Sequence, residues 1–587
     1  MKKRLVSLLL STVMVTGTLA GCTGSGTGTS TEVTVTDDEG NETTVNVADT
    51  QTGEVNTETG TYEVKDLYIV VDGTLTATVD NGQDAFIEQW EAAVGEKLGH
   101  EVHLHINQVD HSDYANTVSR LLTTGEPGDG SFPDAMIMSA SMYRDYQNTG
   151  YLWDMADAYD NAEFQARIAD GMESINLNMR TADGKQYGFA PTYGNGCVTY
   201  VKASWFNQYA EATDGINTIE DVDTYEEYYD MLKFFKDVKV QDADGNEVQT
   251  GGKTYGVVAA GFGKLDEAPY INYMPEFWQG AYPSFYQKDG VWVDGFAEQA
   301  TVDALDRMAT AYADGLIDPD TEDFGTKQAR EKWFSNDQTT SEGVFTYWAG
   351  TWLRTLTDNM SKQGVDDDLG DERLLQLPPI KEIEDSWGGY LNREAPVWVI
   401  SDDGDDNSLR EQAIFDALFE TMLDGDTVQT LWTYGAEDVH WSTKAESFTT
   451  NPDDPDKKKD YEYADGEFHL KQTPNDPNSV WKKNHLDPAL TIAPLTNGFV
   501  TDDALIDQGN AFFVAHCVDA PTAPSCQTLT DNLEALTTDK TTLMVEVVTG
   551  EKSAADAIAE YNDKWGAVSQ QIIDELNAQG SEAPAAQ

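Results

Sequence analysis

The stretch that decides the fold is DGKQYGFAPTYGNGCVTYVKASWF, residues 183–206. It reads as a glycine-containing turn, an apolar strand interrupted by Pro191, Gly194 and Gly196, and an alternating strand that runs into a helix start. The two glycines free the backbone while the proline stiffens one end, which predicts a strand with a place to bend. Such a strand suits a crossing of the chain between two lobes. An ordinary strand and turn in an α/β enzyme has the same local pattern, so the rest of the chain must decide.

N-terminal to this stretch, strand and helix patterns alternate along the chain. The predicted elements are strand 67–71, helix 86–98, strand 101–108, helix 114–122 and strand 134–138. A strand–helix repeat of this kind implies an α/β fold with a mostly parallel sheet. Open α/β sheets bind ligands at the carboxyl ends of their strands. Asp72, Ser139 and Ser141 follow two of these strands and are therefore candidate ligand contacts.

C-terminal to residue 206, the signals continue. Thr224 and Glu227 have the spacing of a capping box and predict the start of a helix. A long helix is predicted over residues 299–314. A strand predicted at 343–347 precedes Gly350-Thr351-Trp352.

These segments together resemble the family 1 extracellular solute-binding proteins, the sugar-capturing subunits of ABC importers. Residues 184–189, GKQYGF, keep the family's G-K-x-Y-G-x-P pattern, with the proline displaced to Pro191 and Lys202 where an asparagine is common. Asp438 stands where the family's Y-G-x-E-G-x-H-W/Y segment has its second glycine. The other similar segments are 224–228, 314–319, 329–334, 350–352, 377–380, 434–441 and 549–551. Their order covers roughly residues 66–577.

The resemblance implies a two-lobed periplasmic-binding-protein-like fold, with a three-segment hinge and a ligand cleft between the lobes. The crossings are expected near residues 190–200, 348–358 and 396–402. The expected N-terminal lobe comprises residues 66–195 and 355–398, and the expected C-terminal lobe comprises residues 196–354 and 399–577. Residues 578–587, rich in Ala, Pro and Gln, are expected to form a disordered tail.

The N-terminus has the pattern of a secretory signal. Lys2, Lys3 and Arg4 precede an apolar run that ends in Leu19-Ala20-Gly21-Cys22. This ending resembles the bacterial lipobox, which implies cleavage before Cys22 and acylation of that cysteine, and hence anchorage on the extracytoplasmic face of the cell membrane. Residues 23–65 are mostly Thr, Gly, Ser, Asn and acid, and predict a flexible tether. Within it, residues 32–36 and 43–47 have the pattern of a hairpin.

The formal net charge of −67 over 587 residues restricts the partners. Nucleic acid and anionic membrane surfaces would be repelled, and polyuronate ligands are disfavoured unless a local cation overrides the field. Neutral and cationic ligands remain.

Three cysteines remain besides Cys22. Cys517 and Cys526 enclose a short proline-rich loop and are predicted to form a disulfide in an oxidising compartment, which leaves Cys197 unpaired.

No metal, cofactor or catalytic residue is assigned. His103 and His105 share one face of a strand, but they are more simply its polar side. Residues 242–246 have part of a calcium-loop pattern, although Glu247 occupies the position of the sharp-turn glycine, so a hairpin turn is the preferred interpretation. Neither G-x-S-x-G nor H-E-x-x-H occurs. With 104 acidic residues, a carboxylate pair in a cleft could arise by chance, so a glycosidase stays an alternative.

Aromatic residues at loops and strand ends near the proposed crossings are the most informative candidates for ligand contacts. A pyranose ring has apolar C–H faces and polar edges, so its site needs flat rings beside polar groups. Taken singly, each aromatic could equally be a core residue. The candidates, with two further residues close to the crossings, are Tyr193, Trp278, Trp348, Trp352, Trp387, Arg393, Tyr434 and Trp441.

The sequence thus leads to the hypothesis of a monomeric, lipid-anchored solute-binding protein that captures a neutral oligosaccharide and delivers it to an ABC permease without performing chemistry. The alternatives are a surface-anchored glycoside-active enzyme and a binder of peptides or sugar acids.

The anchor can be tested directly. Cys22→Ala removes the sulfur that would carry the diacylglyceryl group, so the protein should move from the membrane to the medium or the soluble fraction, as measured by fractionation and immunoblotting. Cys197→Ala, which leaves the lipobox intact, should stay with the membrane. Unchanged membrane association of Cys22→Ala would show that the lipobox interpretation is wrong.

Overall fold

The structure is a computed structural model. It describes residues 30–36, 42–48, 52–56, 60–72, 82–109, 113–124, 132–147, 149–167, 176, 179–181, 184–190, 196–241, 247–259, 281–323, 325–335, 341–350, 352–392, 396–404, 408–448, 461–470, 504–520, 523 and 526–578.

The strands and helices of these residues are numbered separately in chain order. The strands are β1 (Ser30–Thr36), β2 (Glu42–Ala48), β3 (Gly53–Val55), β4 (Tyr62–Val64), β5 (Asp66–Asp72), β6 (His103–Val109), β7 (Ala135–Met138), β8 (Cys197–Lys202), β9 (Lys239–Gln241), β10 (Glu247–Gln249), β11 (Tyr255–Val258), β12 (Phe285–Lys288), β13 (Val291–Asp294), β14 (Glu342–Trp348), β15 (Leu374–Leu377), β16 (Tyr390–Asn392), β17 (Val397–Ile400), β18 (Trp441–Ser442), β19 (Glu446–Phe448), β20 (Tyr461–Tyr463), β21 (His469–Leu470) and β22 (Cys517–Asp519). The helices are α1 (Gln83–Leu98), α2 (Tyr114–Thr124), α3 (Ala140–Tyr146), α4 (Ala156–Asn161), α5 (Ala203–Ala212), α6 (Tyr225–Phe235), α7 (Gln299–Ala313), α8 (Thr326–Trp333), α9 (Trp352–Lys362), α10 (Lys381–Trp387), α11 (Leu409–Phe415), α12 (Thr427–Tyr434), α13 (Ala504–His516), α14 (Gln527–Val548) and α15 (Ala554–Ala578).

The chain divides into two compact units. Unit 1 comprises Met1–Tyr193 and Pro396–Phe499, and unit 2 comprises Gly194–Ala395 and Val500–Gln587. The chain therefore leaves unit 1 inside the stretch 183–206, where the sequence predicts a crossing.

Unit 1 contains a four-stranded sheet of order β17-β7-β5-β6. β5 pairs in parallel with both β6 and β7, and β17 is antiparallel to β7. On α1, Phe86, Trp90 and Val94 recur at helical spacing and are fully buried. The predicted strand–helix repeat over residues 66–138 is confirmed, because β5, α1, β6, α2 and β7 follow in that order.

The folded part of unit 1 begins before the predicted start at Asp66. β3 and β4 form an antiparallel hairpin, and Val55, Tyr62 and Val64 are buried in the core of this unit. The prediction of a tether over residues 23–65 is thus wrong for this hairpin, because its alternating apolar residues give it a face to bury. The predicted pairing nearer the N-terminus is confirmed: β1 and β2 are antiparallel, with Val33 opposite Val45.

Unit 2 contains a second four-stranded sheet, of order β11-β14-β8-β15. β11 and β14 are parallel, whereas β8 is antiparallel to both of its neighbours. All six residues of β8 are buried, as expected of a central strand that is covered on both faces. The capping box of α6 is confirmed: the Thr224 hydroxyl accepts from the Glu227 amide, and the Glu227 carboxylate accepts from the Thr224 amide.

The predicted lobe boundaries need correction after β14. Residues 355–395 belong to unit 2, because β15 pairs with β8 and β16 pairs with β22. Residues 399–499 belong to unit 1, because β17 pairs with β7. The crossing predicted near 348–358 is wrong: α9 continues directly from β14, and its Leu353, Leu356 and Met360 are buried in the core of unit 2.

A group of buried charges lies at the start of β14. Glu342 is fully buried, and within the described part of the chain neither of its carboxylate oxygens accepts a hydrogen bond. The closest cation is Lys332, whose Nζ lies 3.7 Å from Glu342 Oε1 and also forms ion pairs with Asp318 and Asp320. Burial, reinforced by Asp318, raises the pKa of Glu342 well above its ordinary value. Folding therefore favours the protonated form of Glu342.

Lys202, at the end of β8, is also buried. Its Nζ donates to the Ser335 carbonyl at 2.9 Å and lies over the rings of Trp205 and Trp333. Burial lowers the pKa of Lys202 to about 8, against the opposing effects of Glu342 and Asp366. Its contribution to stability is complete above the ordinary value of 10.5 and is lost as the pH falls from there toward 8.

Glu342→Gln tests the carboxyl group in this cluster. A group whose pKa is raised by folding stabilises fully below its unfolded value, here 4.5, and loses that contribution as the pH rises toward the folded value. The unfolding free energy of the wild type should therefore contain a term that falls above pH 5, by up to about 1.4 kcal/mol per pH unit. Glu342→Gln should lack this fall. Urea titrations between pH 5 and 8 measure it. The exposed Glu331→Gln should keep the wild-type slope, and an equal slope in Glu342→Gln would contradict the assignment.

Candidate functional aromatic clusters

The first aromatic cluster lies in unit 2, where β14 ends and α9 begins. Tyr347 and Trp352 meet at 81° with ring centroids 5.0 Å apart. The Arg330 guanidinium lies 5.5 Å from the centroid of each ring, and its Nη1 donates to the Tyr347 hydroxyl at 2.5 Å. Tyr347 is buried while Trp352 stays partly exposed. Trp352 thus has the accessibility that a stacking residue needs.

The turn between β14 and α9 is fixed by a close backbone approach. Gly350 has φ +63°, in the left-handed region, and a Cβ there would lie 2.9 Å from Asn510 Oδ1. A Cβ on Gly509 of α13 would lie 2.1 Å from the Gly350 carbonyl oxygen. Both positions therefore require glycine. Trp348, the last residue of β14, is also a predicted ligand contact. Its carbonyl accepts from the Tyr200 hydroxyl at 2.7 Å, which fixes its backbone.

A second cluster in unit 2 surrounds Trp387, the last residue of α10. Its ring lies 5.9 Å from Tyr282 and 5.3 Å from Tyr286, both edge to face. Tyr286 donates from its hydroxyl to Glu298 at 2.6 Å. The indole N–H of Trp387 is buried and has no hydrogen-bond partner among the residues with described positions. Trp387 is therefore packed by other aromatics rather than held by a polar contact.

The third cluster lies in unit 1 around Phe468. Trp441 stacks on Phe468 with centroids 5.5 Å apart, and Tyr434 lies 4.8 Å from the same ring. Trp441 donates from its Nε1 to the Gly435 carbonyl at 2.9 Å and is partly exposed, whereas Tyr434 is buried. Tyr434 is thus mainly a packing residue, whereas Trp441 and Phe468 are the partly exposed members of this cluster.

Asp438 explains a departure from the resembling family's pattern. Its φ is +62°, the left-handed conformation that glycine adopts without strain and that aspartate tolerates better than most residues. Its carboxylate accepts from the Ser442 hydroxyl and pairs with Lys444. These local contacts support an aspartate at a position where the family has glycine.

The predicted contacts at the strand ends of unit 1 are brought together by the sheet register. β5 and β7 pair with Val70 opposite Met136, which puts Asp72 and Ser139 at the same edge of the sheet. The Tyr114 hydroxyl donates to the carbonyls of Val70 and Ile137, just before these strand ends. Ser139 also caps α3, accepting from the Met142 amide at 3.3 Å. Its hydroxyl therefore already has a structural role.

Several predicted residues lie outside what the structure describes. They are Cys22, Tyr193, Trp278 and Arg393, together with the side chain of Ser141.

The predicted disulfide is not formed. Cys197, Cys517 and Cys526 are free thiols. Cys517 begins β22 and is aligned with Tyr390 of β16, whereas Cys526 caps α14. Burial raises the pKa of Cys526 to about 11, and Glu575 adds to this rise. The two cysteines are thus held by different elements, and the loop between them does not bring the sulfurs together.

The residues weighed for metal binding have other partners. His105 Nε2 lies 2.7 Å from Asp66 and its ring stacks on Tyr68, while His103 pairs with Glu91. The calcium-like loop 242–246 lies outside the described residues, but β9 and β10 pair on either side of it, which confirms the hairpin.

Carboxylates of Asp402, Asp403 and Glu411 also approach within 4.8 Å of one another in unit 1. Glu411 accepts from the guanidinium of Arg410 at 3.1 Å and from the Asp403 amide at 3.2 Å. Arg410 also pairs with the buried Asp134. Glu411 already has arginine and backbone partners, and clusters of acidic groups are common without an ion, so no metal is assigned to this group.

Comparison with known proteins gives matches among solved structures alone: no protein-family model and no curated protein matches the chain. The alginate-binding protein AlgQ2, in its structure without calcium ion, has 14% identity and a TM-score of 0.54 over 88% of this chain and 98% of its own. An HMO-binding, ABC-transporter-associated solute-binding protein from Bifidobacterium longum infantis ATCC 15697 has 13% identity and a TM-score of 0.55, with the same coverages. NgtS, an N-glycan transport solute-binding protein from Streptococcus pneumoniae, has 14% identity and a TM-score of 0.53, again with these coverages.

The chain has the fold of extracellular solute-binding proteins. At these identities the likeness establishes the fold and nothing finer. The three similar proteins are binding proteins rather than enzymes. No helix in the described part of the chain is both long and apolar enough to cross a membrane.

Sequence reasoning missed the partners of the predicted aromatics. Arg330 lies in a segment that resembles the family, and Tyr347 lies at the end of a predicted strand. The sequence does not show that both side chains contact Trp352 in the folded unit. Phe468 is 27 residues beyond Trp441, and the antiparallel pairing of β18 with β21 brings the two together. Phe468 is visible in the sequence as an aromatic residue between Glu467 and His469, but nothing in that segment indicates that it packs against Trp441.

Trp352→Ala separates ligand binding from packing. If Trp352 stacks on a sugar ring, its truncation should cost about 2–4 kcal/mol of binding, or about 30- to 1,000-fold in affinity. Because the side chain is partly exposed, ligand-free stability should change little. Calorimetric titration and thermal unfolding measure the two effects.

Trp333→Ala is the matched control. Trp333 is fully buried in the core of unit 2, so its truncation should cost about 3–5 kcal/mol of stability. If Trp352→Ala lowered the melting temperature as much and left affinity unchanged, Trp352 would be a core residue.

Proposed function

We propose that this protein is an extracellular, lipid-anchored solute-binding protein that captures a neutral oligosaccharide and delivers it to an ABC transporter permease. It binds its ligand and performs no chemistry on it. The fold supports the solute-binding part of this proposal, because the similar proteins include sugar-binding components of ABC transporters.

The observation that carries the proposal is the Trp352 cluster. A partly exposed indole follows directly from a buried strand, and a glycine turn, a tyrosine and an arginine set its position. A partly exposed flat ring matches the apolar C–H face of a pyranose. Trp441 on Phe468 gives unit 1 a partly exposed indole of the same kind.

The net charge of −67 supports a neutral ligand over an acidic one. A field of this sign lowers the local concentration of anions and slows their association. AlgQ2 is named as an alginate-binding protein, and alginate carries a carboxylate on every sugar. Acidic oligosaccharides are therefore the competing ligand class, and the Arg330 guanidinium is the described group that would favour them.

The remaining parts of the proposal rest on the sequence. The apolar N-terminal run that ends in Leu19-Ala20-Gly21-Cys22 supports export and acylation at Cys22. A binding protein held at the outer face of the membrane can pass its ligand to a permease in the same membrane, which supports a permease as partner.

A ligand panel tests the function. The soluble chain that begins after Cys22 is incubated with neutral plant, starch and host-glycan oligosaccharides, with alginate oligosaccharides and with peptides. A neutral oligosaccharide at 100 times its Kd should stabilise the protein by about 2.7 kcal/mol, which thermal shift detects and calorimetry confirms.

Each other outcome points to a different function. New reducing ends after incubation would identify a glycoside-active enzyme. Stabilisation by alginate fragments or peptides alone would overturn the choice of a neutral ligand while keeping the solute-binding role.

A further inference from the structure

We infer that Arg330 is a positioning residue for the indole of Trp352, acting through that ring and not by contacting the ligand. The inference rests on the proposed function, since Trp352 is the residue proposed to stack on sugar. One contact joins the two residues directly, since the Arg330 guanidinium lies over the Trp352 ring. Two more join Arg330 to Tyr347, whose ring it also lies over and whose hydroxyl accepts from it.

The position of the Arg330 guanidinium is fixed both by the helix that carries it and by its hydrogen-bond partner. Its helix, α8, is anchored by Ala329 and Trp333, which flank Arg330 in the sequence of the helix and are fully buried. Its hydrogen-bond partner Tyr347 belongs to β14, and the Tyr347 ring stacks on Phe345 at 4.9 Å and 18°. Arg330 therefore connects two rigid elements to the first residue of α9, and a planar, charged group suits stacking on aromatic faces.

The arrangement determines which face of Trp352 can bind ligand. The Arg330 guanidinium covers one face of the indole, and the Tyr347 ring meets it at 81°. The face under the guanidinium is therefore closed to a sugar ring, and a ligand can stack only on the part of the indole that Arg330 leaves uncovered. Without Arg330 the indole could present either face or rotate away, and binding would then include the cost of ordering this side chain.

The effect should be moderate and should pass through Trp352. A cation–π contact at a partly exposed site corresponds to about 2- to 5-fold in an equilibrium constant. Because one such contact orders the indole, Arg330→Met should weaken sugar binding by about 2- to 5-fold. Arg330→Lys keeps the charge but loses the planar stack, so its effect should be intermediate.

A double-mutant cycle tests the route of the effect. The affinities of wild type, Arg330→Met, Trp352→Ala and the double variant are measured by calorimetry for the oligosaccharide that the panel identifies. If Arg330 acts through the indole, the double variant should bind as weakly as Trp352→Ala alone, within about 2-fold. Losses that multiply would show that Arg330 contacts the ligand itself and would overturn the inference.

A ligand-free measurement keeps this inference separate from the proposed function. The chain is labelled with 5-fluorotryptophan, and the fluorine resonance of position 352 is assigned by its absence in Trp352→Phe. Arg330→Met should shift and broaden that resonance, whereas Lys327→Met on the exposed surface of α8 should leave it unchanged.

The two failures are distinguishable. An unmoved resonance in Arg330→Met overturns the positioning role even if sugar binds. A shifted resonance in a protein that binds no sugar keeps the positioning role and rejects the function.

Discussion

The antiparallel pairing of β8 with β14 is the constraint on which unit 2 depends. β8 is the first strand after the chain enters this unit, and it pairs with β14 on one side and β15 on the other. Because its residues are buried on both faces, its register cannot slip by one residue without turning every side chain to the other face. That register sets the end of β14 opposite Cys197, and it lets Tyr200 hold the carbonyl of Trp348. The position of the aromatic turn is thus a consequence of strand pairing.

Some of the many acidic residues of this chain are buried, and their surroundings differ. In unit 2, Asp294 is buried with Lys540, and its carboxylate also accepts from Tyr561 and Ser569. In unit 1, Asp134 is buried with Arg410 and accepts from the Tyr68 amide. Each carboxylate oxygen of these two acids accepts at least one hydrogen bond, as buried charges require. Neither oxygen of Glu342 accepts a hydrogen bond within the described residues, and burial raises its pKa well above the ordinary value. The two kinds of buried acid in this chain thus differ in the donors that surround them.

Local sequence patterns predicted individual elements well and their grouping less well. The capping box at Thr224, the helix over 299–313 and the strand before Gly350 have signals that lie within a few residues, and the structure has all three. Residues 355–395 were assigned to the wrong lobe because the sequence of a strand does not show which strand it pairs with. β15 pairs with β8, which lies about 170 residues earlier in the sequence. The same limit applies to the aromatic clusters. Trp352 could be proposed from its motif, but its arginine comes from another helix, and Phe468 lies 27 residues beyond Trp441.

The contact between Gly350 and Gly509 has a consequence for the order in which the protein is made. The two glycines are 159 positions apart, and between them the chain completes the C-terminal part of unit 1, residues 396–499. During synthesis, β14 and α9 emerge long before α13 exists to pack against their turn. Domains tend to fold as units, but unit 2 is discontinuous and must wait for its last helices, wherever along the export route the chain folds. The turn that carries Trp352 is therefore among the last parts of the molecule to gain its native support, and unit 1 can be complete while that turn is still unsupported.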